Sequence, residues 1–198
     1  MRDDTKLKAL ILNAEESFAR AVALGVIVKR PPSAWHFIIP GMFLFDFLRR
    51  SSETRRYSDL FLFPRRLALD GAANLLNGED RKRVFSQIEE GIKRWLMSLN
   101  LDSEKLLRAH VSQVALLVDH YTRLLRTEKG SYEGLIRQAY PTRDHYGTFL
   151  RELTAAEREV DQAVAAFHGG SDAIRQRLEA EQNQVEALRK KEILRSFE

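Results

Sequence analysis

Leu7, Leu10, Ile11, Ala14, Phe18, Ala21 and Val22 recur at steps of three or four, with Glu15, Glu16 and Arg20 between them. This spacing predicts an amphipathic helix over about residues 4–24. Gly25 offers a stop, and Pro31-Pro32 forbids a quick resumption. Four of the five prolines, Pro31, Pro32, Pro40 and Pro64, fall between residues 31 and 64, which predicts short elements and turns there. Val26 to Val28 has the composition of a short strand, although nothing else in the chain alternates strongly enough to pair with it.

From Leu67 the helical pattern returns and persists. A small helix ends near Asn77-Gly78, and a second, over 80–99, carries Val84, Phe85, Ile88, Ile92, Trp95 and Leu96 on one face with Asn100 at its end. A third, over 103–127, is capped by Asp102 or Ser103. A short helical piece follows Gly130 and reaches Tyr140. Beyond Pro141-Thr142 lie helices over 142–168 and 171–197, broken at Gly169-Gly170, with Ser171 as a cap. Thr154-Ala155-Ala156-Glu157 reads as a capping box at which a helix restarts. Ala173, Ala180, Ala187 and Leu194 repeat every seven residues beside Ile174, Leu178, Val185 and Leu188, a stripe that lets a neighbouring helix approach closely. Glu179, Glu181, Glu186, Arg189, Lys190 and Lys191 read as the solvated face of that helix.

The predicted fold is all-α, an irregular antiparallel helical bundle of six to nine helices with a C-terminal helical hairpin. It reads as a single helical domain over 1–198, with an irregular basic and aromatic segment at 26–66 and the hairpin at 142–198. Packing within the hairpin is preferred for the stripe on its last helix, with a homodimer through 142–198 as the alternative.

Composition narrows the chemistry. The 198 residues include no cysteine, which excludes disulfides, thiolate metal sites and cysteine nucleophiles. Met1-Arg2-Asp3-Asp4 opens a charged stretch rather than a secretory leader, so a cytoplasmic location is expected, peripheral to a membrane if the basic segment docks on one. The most apolar window, Trp35 to Leu48, is 14 residues long and holds His36, Pro40, Gly41 and Asp46. A spanning helix needs about 20 apolar residues.

Charge is unevenly spread. Residues 29–66 carry a net +5 where the whole chain carries +4, together with six of the eleven phenylalanines, Trp35 and Tyr57. Dibasic pairs alternate with aromatic runs, a combination suited to an anionic membrane interface or a partner protein. Trp35, Phe37, Arg49, Arg50, Arg55, Arg56, Arg65 and Arg66 are the candidate contact residues. The alternative for Met42 to Leu48 is a central buried helix, with Asp46 paired to Arg49 or Arg50. Nucleic acid is disfavoured beyond weak nonspecific binding, because apolar runs interrupt the basic residues and the last 48 residues are net −2.

No recognisable catalytic motif is present. The glycines form neither G-x-G-x-x-G nor a Walker loop, and no histidine is preceded by Glu at the third position, so no cofactor or metal is expected. His110 stands in an apolar stripe between Leu107 and Val114. A core histidine is the preferred reading, since no second ionisable group shares its stripe. The functional alternative is a small-ligand or enzymatic pocket between helices around His110, walled by Trp95 or Tyr121. Asp119-His120 and Asp144-His145 read as surface or cap residues. The leading expectation is a non-enzymatic interaction protein that docks through residues 29–66 on an anionic membrane surface or a protein partner.

Overall fold

The computed structural model describes residues 4–27, 42–128, 130–170 and 172–198. They form seven helices: α1 (Asp4–Ile27), α2 (Met42–Leu76), α3 (Arg81–Ser98), α4 (Glu104–Leu125), α5 (Tyr132–Ala139), α6 (Arg143–Phe167) and α7 (Asp172–Phe197). No strand occurs among the described residues, and the architecture is an all-α helical bundle.

Helix α4 carries the centre of the core. Its Val114, Leu117, Val118, Tyr121 and Leu124 are almost wholly removed from water, and α2, α3 and α6 pack around it. Helices α1 and α2 run antiparallel, tied by Lys8–Asp70, Glu15–Arg65, Glu16–Arg66 and the stacked rings of Phe18 and Phe61. Helices α6 and α7 form the C-terminal hairpin, with Asp161 bonded to Gln182, Arg158 to Glu186 and Glu157 to Arg189.

The middle of the chain departs from the sequence expectation. In place of short elements up to residue 66 and a separate small helix from Leu67, α2 runs 35 residues without a break and has Pro64 inside it. Proline removes the amide that would bond the carbonyl of Leu60. The next carbonyl along, that of Phe61, receives Nη1 of Arg65 at 3.3 Å. Tertiary contacts hold the helix on both sides of the proline: Phe63 stacks on Trp95 at 4.7 Å, and Arg65 is anchored to α1 and α6. Packing of this kind overrides a local propensity.

Four smaller expectations are also corrected. Gly25 does not end α1, because the helix continues through Val26 to Ile27, which removes the strand reading there; Val28 lies outside the described residues. A Cβ on Gly25 would collide with the Gln184 side chain of α7. The capping box at Thr154 caps nothing: α6 passes straight through, and Thr154 and Glu157 both face Arg189. Of the seven-residue stripe on α7, Ala180, Ala187 and Leu194 are exposed, so small residues do not set the hairpin packing. Ser171 lies outside the described residues.

Helix ends are built by recognisable chemistry. Asp80, Ser103, Ser131 and Thr142 each accept an amide from the first turn of the helix they precede. At the other end α2, α3 and α6 close alike, with Gly78, Asn100 and Gly169 at positive φ. The amides of Glu79, Leu101 and Gly170 then reach back to the carbonyls of Asn74, Leu96 and Ala165. The turn at Asn100 brings Leu99 and Leu101 to the wall of the cavity described next.

Candidate ligand-binding cavity

A cavity of about 440 Å³ opens between α2, the end of α3, α4 and the α6–α7 hairpin. Its α6 wall is Thr154, Glu157, Val160, Asp161 and Val164, positions three or four apart and therefore on one face. The α7 wall repeats the rule with Ile174, Leu178, Glu181, Gln182 and Val185. Helix α2 adds Tyr57, Leu60, Phe61 and Pro64, and Trp95, His110 and Gln113 close the remaining side. Ile174, Leu178 and Val185 of the α7 stripe thus line the cavity.

His110 is buried, with Nδ1 3.2 Å from Oε1 of Gln113 and its ring edge-on to Trp95 at 5.2 Å. Burial lowers its pKa to about 4, and it is neutral at pH 7. With the Gln113 oxygen accepting, the proton is assigned to Nδ1, which leaves Nε2 as an acceptor.

Beside the cavity lies a buried ion-pair network. Arg65 places Nε 3.0 Å from Glu15 and Nη2 3.0 Å from Glu157. Arg189 approaches both oxygens of Glu157, at 2.8 and 2.9 Å, and donates to Oγ1 of Thr154 at 2.7 Å. Tyr121 donates its hydroxyl to Glu15 at 2.7 Å. Burial alone would raise the pKa of Glu157, yet Arg189 and Arg65 hold it below the ordinary carboxylate value. Two arginines and two glutamates neutralise one another here, and α1, α2, α6 and α7 are joined by them.

Asp161 and Glu181 are different. Among the described residues neither has a cationic side chain within 4 Å. Asp161 accepts Nε2 of Gln182 at 2.6 Å, and burial pushes its pKa up to about 6. Burial raises Glu181 to about 7, with the charges of Asp161 and Glu157 adding to the effect while Tyr57 and Arg65 lower it. The hydroxyl of Tyr57 lies beside Glu181, buried and outside ordinary hydrogen-bonding geometry.

The residues singled out from sequence separate accordingly. His110 and Trp95 line the cavity, whereas Tyr121 is fully buried beyond it with its hydroxyl taken by Glu15. Of the basic contact set, Arg55 and Arg56 are exposed and Arg66 pairs with Glu16 at 2.8 Å. Arg65 is only 4% exposed and is held in the network, which takes it out of any docking surface. Trp35 and Phe37 lie outside the described residues, as do the side chains of Arg49 and Arg50 and those of 42–48. Arg189 and Glu181, read as solvated, face inward. His120 is buried too, stacked on Phe149 at 4.3 Å and bonded to the Tyr140 hydroxyl, while Asp119 and His145 are exposed.

Sequence reasoning missed Tyr57, Asp161, Glu181 and Gln182. The available signal was positional and weak: Asp161 follows Leu153 and Glu157 at steps of four, at the edge of the apolar stripe of α6. Among the described residues no three His, Asp or Glu side chains converge as a metal site, and no helix is long and apolar enough to cross a membrane. No protein-family model matches the chain, and neither a curated protein nor a solved structure matches it.

Proposed function

We propose that this protein binds a small, largely apolar molecule in the cavity between α2, α3, α4, α6 and α7. The observation that carries the proposal is the cavity itself: about 440 Å³, with Leu60, Phe61, Trp95, Val164, Leu178 and Val185 among its walls and a few polar groups converging on it. Ligand sites in proteins occupy roughly 300–1,000 Å³ and have this mixture of apolar wall and sparse polar anchors. Binding is favoured over catalysis because the polar groups do not form a nucleophile–base pair: the Thr154 hydroxyl faces Arg189, and His110 faces Gln113. Docking through residues 29–66 on an anionic membrane or a protein is the competing proposal, supported among described side chains by the exposed Arg55 and Arg56.

The test is titration with the neutral fluorescent probe N-phenyl-1-naphthylamine. Saturable, blue-shifted emission is expected, and Leu178→Trp, which fills the cavity from α7, should abolish it while the helical circular dichroism stays unchanged. An absence of saturable binding, or equal binding by a folded Leu178→Trp variant, overturns the proposal.

A further inference from the structure

Charged or titratable groups reach the cavity from every helix around it except α3, and the buried arginine and two of the four carboxyl groups are held in ion pairs. On α2, Arg65 is held by Glu15 and Glu157. On α4, His110 is uncharged at neutral pH. On α6, Glu157 is held by Arg65 and Arg189, and His168 is an exposed residue at the helix end. On α7, Glu186 pairs with Arg158 at 3.0 Å, and Arg177 is exposed, its guanidinium 5.7 Å from the centre of the Tyr57 ring. What remains is one carboxyl group from each arm of the hairpin, Asp161 and Glu181, both facing the cavity with no cationic partner among the described residues.

Resting on the ligand-binding reading above, we infer that the ligand is a lipophilic organic cation, such as an amine with an apolar body, whose charged end sits between Asp161 and Glu181. Sign and size support it together. Two carboxylates taken out of water repel each other and attract any cation that enters. The Gln182 amide fixes one oxygen of Asp161, leaving the other for a donor. A bare metal ion would find too few ligands and too large a space, whereas an organic body fills the apolar walls. An anion would meet the same two carboxyl groups, with Arg65 already saturated and Arg177 at the exposed edge.

Without a ligand, burial lets Asp161 keep its proton up to about pH 6 and Glu181 up to about pH 7, so binding an amine in this range releases protons and tightens as pH rises to about 8. The experiment displaces N-phenyl-1-naphthylamine with decylamine, decanol and decanoate, three compounds of equal chain length and different head charge. Decylamine should bind about tenfold or more tighter than either of the others at about pH 8, the preference shrinking at about pH 5. The double variant Asp161→Asn, Glu181→Gln should keep the helical circular dichroism and, measured against its own affinity for the neutral probe, treat decylamine and decanol alike. Equal binding of the three compounds by the native chain, or an amine preference that survives in the double variant, overturns the inference while the ligand-binding reading stands. Failure of the neutral probe to bind removes both.

Discussion

Arg65 and Arg66 are neighbours in sequence and opposites in environment. Successive side chains on a helix point to different faces, so one arginine of the pair is 4% exposed between Glu15 and Glu157 while the other meets Glu16 at the surface. Removing one partner of a buried pair leaves an uncompensated charge and costs about 3–5 kcal/mol, whereas an exposed pair is worth about 1 kcal/mol or less. Arg65→Met should therefore cost several times as much as Arg66→Met in urea unfolding, and Glu15→Gln added to Arg65→Met should recover part of the loss. Equal small losses for the two arginines would show that burial does not govern this network. In the sequence both arginines belong to one basic run, and nothing local tells them apart. His110 was legible because its own helix surrounds it with apolar residues. Asp161 and Glu181 were not, because a carboxylate at the edge of an apolar stripe suits water equally well until a facing helix covers it.

At the scale of elements, the end of α3 and the start of α4 were legible, whereas Gly25, Thr154 and above all Pro64 misled. Asn100 closes α3 at φ 57°, and its neighbours Leu99 and Leu101 face the cavity. Left-handed backbone costs most side chains roughly 1–2 kcal/mol, asparagine less and glycine nothing. Asn100→Ala should accordingly lower the melting temperature by about 2–6 °C, with Asn100→Gly unchanged or slightly higher. A drop for Asn100→Gly as large as for Asn100→Ala would mean that the asparagine side chain, and not the backbone, holds the turn. Pro64 shows the opposite case. Its local message is to break the helix, but Phe63 on Trp95 and Arg65 on two other helices hold α2 together from outside the segment. Information of that kind is stored in partners far along the chain, out of reach of any local window.

Over the whole molecule, two families of buried groups pull stability in opposite directions with pH. The all-α architecture followed from periodicity, but the burial that sets these groups depends on how helices meet. His110 and His120 fall to about 4 and about 3, chiefly through burial, against about 6.5 in the unfolded chain. The unfolded state then binds more protons below about pH 6.5, so this contribution is present above that pH and is lost as pH falls towards the folded values. Asp161, Glu181 and Glu192, the last on α7 where it accepts the Tyr146 hydroxyl, rise to about 6, 7 and 7, again chiefly through burial. For them the folded state holds protons that the unfolded state has released, so their contribution is present in mild acid and is lost as pH rises through about 6–7. Between about pH 6 and pH 8 the three carboxyl groups lose more than the two histidines still gain near pH 6.5, so the native protein should melt higher at about pH 6 than at about pH 8. Glu181→Gln with Glu192→Gln should flatten that difference by raising the pH 8 value, because an amide carries no charge to desolvate. Thermal melts of both chains across this range decide the matter, and a native melting temperature that climbs from about pH 6 to about pH 8 would mean that these carboxyl groups ionise freely in the folded state.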